Sequence, residues 1–276
     1  MFSAIATKIL GLVTLLIFSS SVLAVPTVHH DLKIILNPGQ GSIDVQDKIT
    51  LPVQASSFEF ELHADLAVKH SDAFDLKLVG NVPGSVPTKR YRLNLDSAQR
   101  SVALHYAGVP GHRFENASSD YSSREVWTPA VISEDGVFLG GVSGWYPRIG
   151  EYALSFDMQV SMPEDWVVVS QGKPVASKFN SWQEQLPQEE IYLIAARYYR
   201  YEARGESGIL AQVYLRDADS SLAERYLAFT DEYIKLYSRL IGEYPYHKFA
   251  LVENFLQTGY GMPSFTLLGS KVIRLP

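Results

Sequence analysis

The sequence predicts a mainly β N-terminal domain, a sandwich or a curved open sheet, followed by an incomplete α+β segment. Three observations carry this reading. From His29 to about Glu202, short alternating runs recur between Gly, Pro and Asp punctuation, which is the period of half-buried strands. Near Gly205 the character shifts, and residues 219–241 repeat their apolar side chains at helical spacing. Tyr and Phe are plentiful, at 16 and 13, which suits strands whose faces pack on one another.

Residues 1–24 read as a signal peptide. Lys8 precedes an apolar stretch from Ile9 to Phe18, then Ser19-Ser20-Ser21 and Val22-Leu23-Ala24, the small-residue pattern that predicts cleavage after Ala24. The apolar run is shorter than the roughly 20 residues a spanning helix needs. No stable membrane anchor is therefore expected after cleavage, and the chain is expected to be exported, periplasmic or secreted. It has no cysteine, so stability must come from core burial and not from disulfides. The remainder divides into a β-rich domain over 25–204 and the start of a truncated α+β domain over 205–276.

Along the β-rich part, residues 30–51 alternate, turn at Asn37-Pro38-Gly39-Gln40-Gly41, and alternate again through Ile43, Val45 and Ile49, a hairpin signal. Further strands are expected at 58–62, 74–79, 91–95 and 102–106. The polar stretch 110–134 predicts a long loop. Strands resume at 137–139, 152–161, 166–170 and 191–199, with one more at 209–215. The helix over 219–241 carries Leu222, Tyr226, Leu227, Tyr233, Ile234, Tyr237, Leu240 and Ile241 at helical spacing. A capping box from Ser221 to Glu224 opens it and Gly242 stops it. Strands at 249–253 and 265–268 follow, separated by a Gly-rich turn.

Several chemistries are excluded by residue type or spacing. A net charge of −6 and a pI near 5.7 argue against nucleic acid as a partner, because phosphate binding needs a basic excess. Gly141-Val142-Ser143-Gly144 is not a nucleophile elbow, its second Gly falling one residue early. Gly39-Gln40-Gly41 lacks the third Gly and the helix of a dinucleotide site. Glu164-Asp165 and Glu189-Glu190 sit in polar turns as solvated charge. Asn116-Ala117-Ser118 is a formal glycosylation sequon. His29, His30, His63, His70, His105, His112 and His247 are never followed by Glu and never spaced i, i+4, so no H-E-x-x-H zinc site is formed.

Read in order, Trp145-Tyr146-Pro147, the strand through 152–160, Met162-Pro163-Glu164-Asp165-Trp166, Val169-Ser170-Gln171-Gly172, the run 191–199, the helix from Ser221 and Gly242-Glu243-Tyr244-Pro245-Tyr246 resemble the aminopeptidase N family of gluzincin zinc metallopeptidases. The resemblance covers nearly the whole mature chain. It implies an N-terminal β domain leading into a thermolysin-like catalytic domain that hydrolyses peptides through a zinc-bound water. In that family an edge strand, Gly-x-Met-Glu-Asn, follows, and its Glu binds the free amino terminus of the substrate. The matching text here is Gly259-Tyr260-Gly261-Met262-Pro263, with no acid after Met262. The resemblance implies that these five residues bind a peptide substrate by strand addition; a glycine turn that lets two strands pack closely is the structural alternative. The missing acid argues against a strict aminopeptidase. The chain is expected to hold no metal or other cofactor, to contain no catalytic residue and to be inactive alone, zinc belonging to an intact relative. The alternative is a non-catalytic periplasmic module that binds peptides or proteins.

Overall fold

A computed structural model describes residues 25–110 and 130–275; the expected signal peptide, the sequon at Asn116 and most of the expected long loop lie outside the described residues. The chain runs through β1 (Thr27–Asn37), β2 (Ser42–His63), β3 (Leu66–Val68), β4 (Asp75–Val82), β5 (Thr88–Gly108), β6 (Ala130–Ser133), β7 (Gly136–Leu139), β8 (Ala153–Ser161), β9 (Val167–Val169), β10 (Lys173–Pro174), β11 (Ser181–Gln188) and β12 (Leu193–Ala196). It continues through β13 (Tyr199–Arg204), β14 (Leu210–Leu215), α1 (Ser220–Ile241), β15 (Lys248–Asn254), β16 (Tyr260–Met262), β17 (Phe265–Gly269) and α2 (Ser270–Ile273).

These strands form three sheets. The first has the order β10-β11-β8-β1-β2-β5-β3, with β4 also on β5; the second is β6-β7-β12-β9; the third is β13-β14-β15-β17-β16. Alternation explains the first interface. Leu32, Ile34 and Leu36 of β1, Val45 and Ile49 of β2, and Phe156, Met158 and Val160 of β8 turn inward onto Ile132, Val137, Leu139, Val168, Leu193 and Ala195 of the second sheet. The second sheet is buried on both sides, which is why its strands read as unbroken apolar runs such as Val167-Val168-Val169. Its other face, with Phe138, Val169, Ile194 and Ala196, meets Tyr214, Ala250, Val252, Phe265 and Leu267 of the third sheet. Beyond that sheet, Leu222 and Ala223 of α1 cover Val213, Leu215 and Leu251. The molecule is thus mainly β in open stacked sheets, with a single long helix on the outside among the described residues, as the sequence predicts.

The motif residues of the middle region converge on one segment. Trp145 Nε1 donates to Ile191 O at 3.2 Å, and the Ile191 amide donates to the Tyr146 hydroxyl at 3.2 Å. Ser170 Oγ donates to Tyr192 O at 2.6 Å, while Gln171 Oε1 accepts from the Tyr192 amide at 3.0 Å. Gly172 is left-handed, with φ 81°, and a Cβ there would stand 2.4 Å from Gln183 O. The sequence signature around 145, 170 and 191 therefore holds the entry to β12 in place and satisfies buried backbone groups that would otherwise be costly.

Local expectations change in several places, the run expected at 58–62 being part of β2. The runs expected at 91–95 and 102–106 belong to one strand, β5, which stays paired to β2 through irregularities between Thr50 and Ser57. The run 191–199 divides: β12 lies in the second sheet, whereas β13 begins the third. Residues 130–133 of the expected loop form β6. The strand β11 was not expected, because Ser181-Trp182-Gln183-Glu184-Gln185 offers one large apolar residue. Finally, the helix cap is Asp219, not Ser221: Asp219 Oδ1 accepts from the Leu222 amide at 3.0 Å and from Ser221 Oγ at 2.9 Å. A carboxylate at this position both bonds the orphan amide and meets the positive end of the helix.

Candidate peptide-binding edge

β16 is the last strand of the third sheet. Pro263 supplies the φ that the first corner of a tight turn needs, and Ser264 takes the left-handed second corner at φ 67°. The chain folds back with Met262 opposite Phe265, Gly261 opposite Thr266 and Tyr260 opposite Leu267. Thr266 Oγ1 donates to Tyr260 O at 3.1 Å. The Tyr260 ring lies 5.5 Å from that of Phe138, and Met262 packs against the same cluster. These two side chains fasten the strand to the second sheet. Gly261 between them is exposed, with nothing within 4 Å of where a Cβ would stand.

Gly259 is exposed and Pro263 half-buried, so all five sequence-predicted site residues lie together along this edge. The outer side of β16 pairs with no strand among the described residues. A bare strand edge presents N–H and C=O groups in the spacing an added strand requires.

Two ionisable groups stand behind the edge. Glu253 on β15, two strands inward, is 1% exposed and accepts from Arg274 Nε and Nη2, each at 2.8 Å, and from the Arg216 amide at 2.8 Å. Burial works to raise its pKa, but the Arg274 guanidinium, the Arg216 amide and Ser270 outweigh it and hold the carboxyl below its ordinary value. Its oxygens are committed to those partners. Lys248, which starts β15, is fully buried. Its Nζ donates to Ser264 O at 3.1 Å and Ser264 Oγ at 2.9 Å, and it sits 5.3 Å from the Trp182 ring and 5.2 Å from the Phe265 ring. Burial pushes its pKa down to about 7, against a smaller opposing pull from Glu184. Lys248 thereby ties the Pro263-Ser264 turn to the first sheet. Sequence reading missed it, although a lysine opening the apolar strand 248–252 was the available signal.

The histidines serve other partners. His30 Nδ1 lies 2.8 Å from Asp47 Oδ2, both side chains fully buried, while His29 bonds Ser155 at 2.9 Å and His105 bonds Asp44 at 2.7 Å. His112 is outside the described residues. Among the described residues, no group of three or more His, Cys, Asp and Glu side chains is placed to hold a metal ion.

No family model matches the sequence, and no curated protein matches it. Solved structures do share its fold. The chain is similar to an M1 zinc metallopeptidase from Deinococcus radiodurans, at 15% identity and a TM-score of 0.63 over 89% of this chain and 61% of that one. A glutamate-to-alanine variant of that protein gives 15% identity and a TM-score of 0.63 over 90% and 61%. The same variant bound to a Tyr-Ser-Ala substrate gives 14% identity and a TM-score of 0.59 over 90% and 60%. The chain spans about 61% of the length of these structures, and the likeness is one of fold.

Proposed function

We propose that this chain is the substrate-facing front of an exported zinc metallopeptidase resembling the aminopeptidase N family, and that Gly259, Tyr260, Gly261, Met262 and Pro263 hold an extended peptide by strand addition. The observation that carries the reading is the outer edge of β16 at Gly261, which is exposed and pairs with no other strand among the described residues than β17, between the packed side chains of Tyr260 and Met262. The fold it shares with M1 zinc metallopeptidases, one of them bound to Tyr-Ser-Ala, supports it.

The described residues do not fit a zinc ion, so no chemical step is assigned to them. Their role in the reading is to bind and orient. Backbone N–H and C=O groups of β16 fix the peptide in an extended state, the form in which its amide bonds are open to attack. With no acid beside Met262 and with Glu253 engaged by Arg274, no described residue at this edge selects a free ammonium group. An unpaired ammonium would lose solvation without compensation, so peptides held through their main chain are favoured.

The test is binding of Tyr-Ser-Ala and its N-acetylated form to the 276-residue chain, followed by amide exchange. The expected result is slowed exchange at 259–262, affinities for the two peptides within about threefold (about 0.7 kcal/mol), and loss of binding in Gly261→Pro, which removes an edge N–H. Protection elsewhere, or a strict requirement for the free amine, overturns the reading. Zinc content of the gene product isolated from its host separates the two functional classes: stoichiometric zinc supports the peptidase, and zinc-free protein that still binds peptide supports the non-catalytic module.

A further inference from the structure

The three sheets leave one large cleft between them, on the side of the third sheet opposite β16. It measures about 940 Å³ and is bordered by β9, β10, β13, the residues 175–180 and the turn 244–247. Each of those three strands ends its own sheet. The side of β9 is already closed, because Asn180 Oδ1 accepts from the Val168 amide at 2.9 Å and Asn180 Nδ2 donates to Trp166 O at 3.2 Å. The side of β13 is not: among the described residues its six residues pair only with β14.

The lining has a charge opposite to that of the molecule. The whole chain carries −6, yet Lys173, Lys178, Arg200, Arg204 and His247 face a single carboxylate, Glu202, in this cleft. Glu202 is taken up by Arg200 and by Gln212 Nε2 at 3.1 Å. Lys173, Lys178 and Arg204 are in no ion pair among the described residues. Trp182 forms part of the wall; it is 4% exposed, and its indole N–H has no hydrogen-bond partner among the described residues. A buried donor without an acceptor is uncommon in a finished interior, and here it belongs to a cleft rich in cations.

We propose that this cleft is a docking site for an extended acidic segment of a partner protein, laid along β13 with its carboxylates among Lys173, Lys178, Arg200 and Arg204. Strand addition needs a bare edge of adequate length, and β13 offers about 20 Å at the rise of a strand. The alternation of β13 puts Arg200, Glu202 and Arg204 on one face, so a guest with acids at every second position meets the cations in register. The site is separate from β16, since the two strands are opposite edges of the same sheet, and it does not depend on the peptidase reading.

The probe is a capped hexapeptide of alternating Glu and Val, titrated by calorimetry into the 276-residue chain, with the Gln-for-Glu peptide as its neutral partner. The acidic peptide is expected to bind at least about tenfold tighter than the neutral one, a difference of about 1.4 kcal/mol, and to weaken as salt rises. Amide protection should fall on Tyr199–Arg204. Exchanging charge in the exposed pair, Lys173→Glu with Lys178→Glu, should weaken the acidic peptide at least about tenfold without moving Tm. Equal affinity for both peptides, indifference to the paired substitution, protection outside β13 or no binding overturns the proposal. Displacement of the acidic peptide by millimolar inorganic phosphate overturns it in favour of a small-anion site.

Discussion

At the scale of single residues, Lys248 has the largest consequence. In the unfolded chain its amine holds a proton up to about 10.5, whereas in the fold burial brings that point down to about 7. Between those values the unfolded state binds the extra proton, so stability rises with pH across that window; below about 7 the full penalty of a buried ammonium is present. Lys248→Met keeps the volume and discards the charge, an exchange that is often neutral or stabilising. It is expected to raise Tm at pH 6 and to remove the gain the native protein makes between pH 7 and 10. Thermal scans over that range check both, and a native profile that is flat or falling there rules the account out. Arg274 has the converse position: Arg274→Ala leaves Glu253 buried without its counter-charge and is expected to cost about 3–5 kcal/mol, read from denaturant unfolding. The lysine that opens the apolar strand 248–252 was the one trace of this in the sequence, and neither Lys248 nor Arg274 shows its partner there. Residues 259–263 are legible through a family resemblance that rests on Gly and Met at that spacing, and they fall together on β16 and its flanks.

Elements were legible in proportion to how local their signals are. The β1–β2 hairpin and α1 each have their turn or cap within a few residues, so period and punctuation sufficed. β11 takes its identity from pairing with β8, earlier in the chain, and β13, although its partner β14 follows directly, is an edge strand whose exposed polar residues hide it. The helix also shows a face that no described element covers. Phe229, Tyr233, Leu236, Tyr237, Leu240 and Ile241 are all exposed, the last at 83%, and Phe229, Tyr233, Tyr237 and Ile241 border, with Tyr244, Pro245 and Phe249, an apolar groove of about 970 Å³. Contiguous apolar surface of this kind binds dyes and promotes association. Leu240→Lys with Ile241→Lys, cations placed favourably at the helix C-terminus, should lower fluorescence of an apolar dye and reduce self-association. Stability should stay within about 0.5 kcal/mol for each change. A loss of several degrees in Tm would show instead that these side chains are packed.

At the scale of the whole molecule, the sheets depend on one another. The second sheet has no solvent side, since Phe138, Val169, Ile194 and Ala196 are covered by the third. A chain ended after Arg204 is therefore expected to expose that face, bind apolar dye strongly and aggregate on concentration, as light scattering would show. A monomeric product that unfolds cooperatively would mean that the first two sheets suffice. The layering could not be read from sequence: continuous apolar runs say that a strand is buried, but not which two surfaces bury it.

The parallel pairing of β1 with β8, in which Thr27 lies opposite Ala153 and Ile35 opposite Ser161, also sets a schedule. β1 meets β2 almost at once, but its second neighbour is synthesised more than a hundred residues later. At about 5–20 residues per second, β1 has one flank bare for on the order of ten seconds during translation. Contacts so distant along the chain slow folding, and an unpaired apolar flank invites pairing with other nascent chains. The protein's yield in a cell should accordingly track the supply of holdase chaperones, which shield such strands until the late partner arrives.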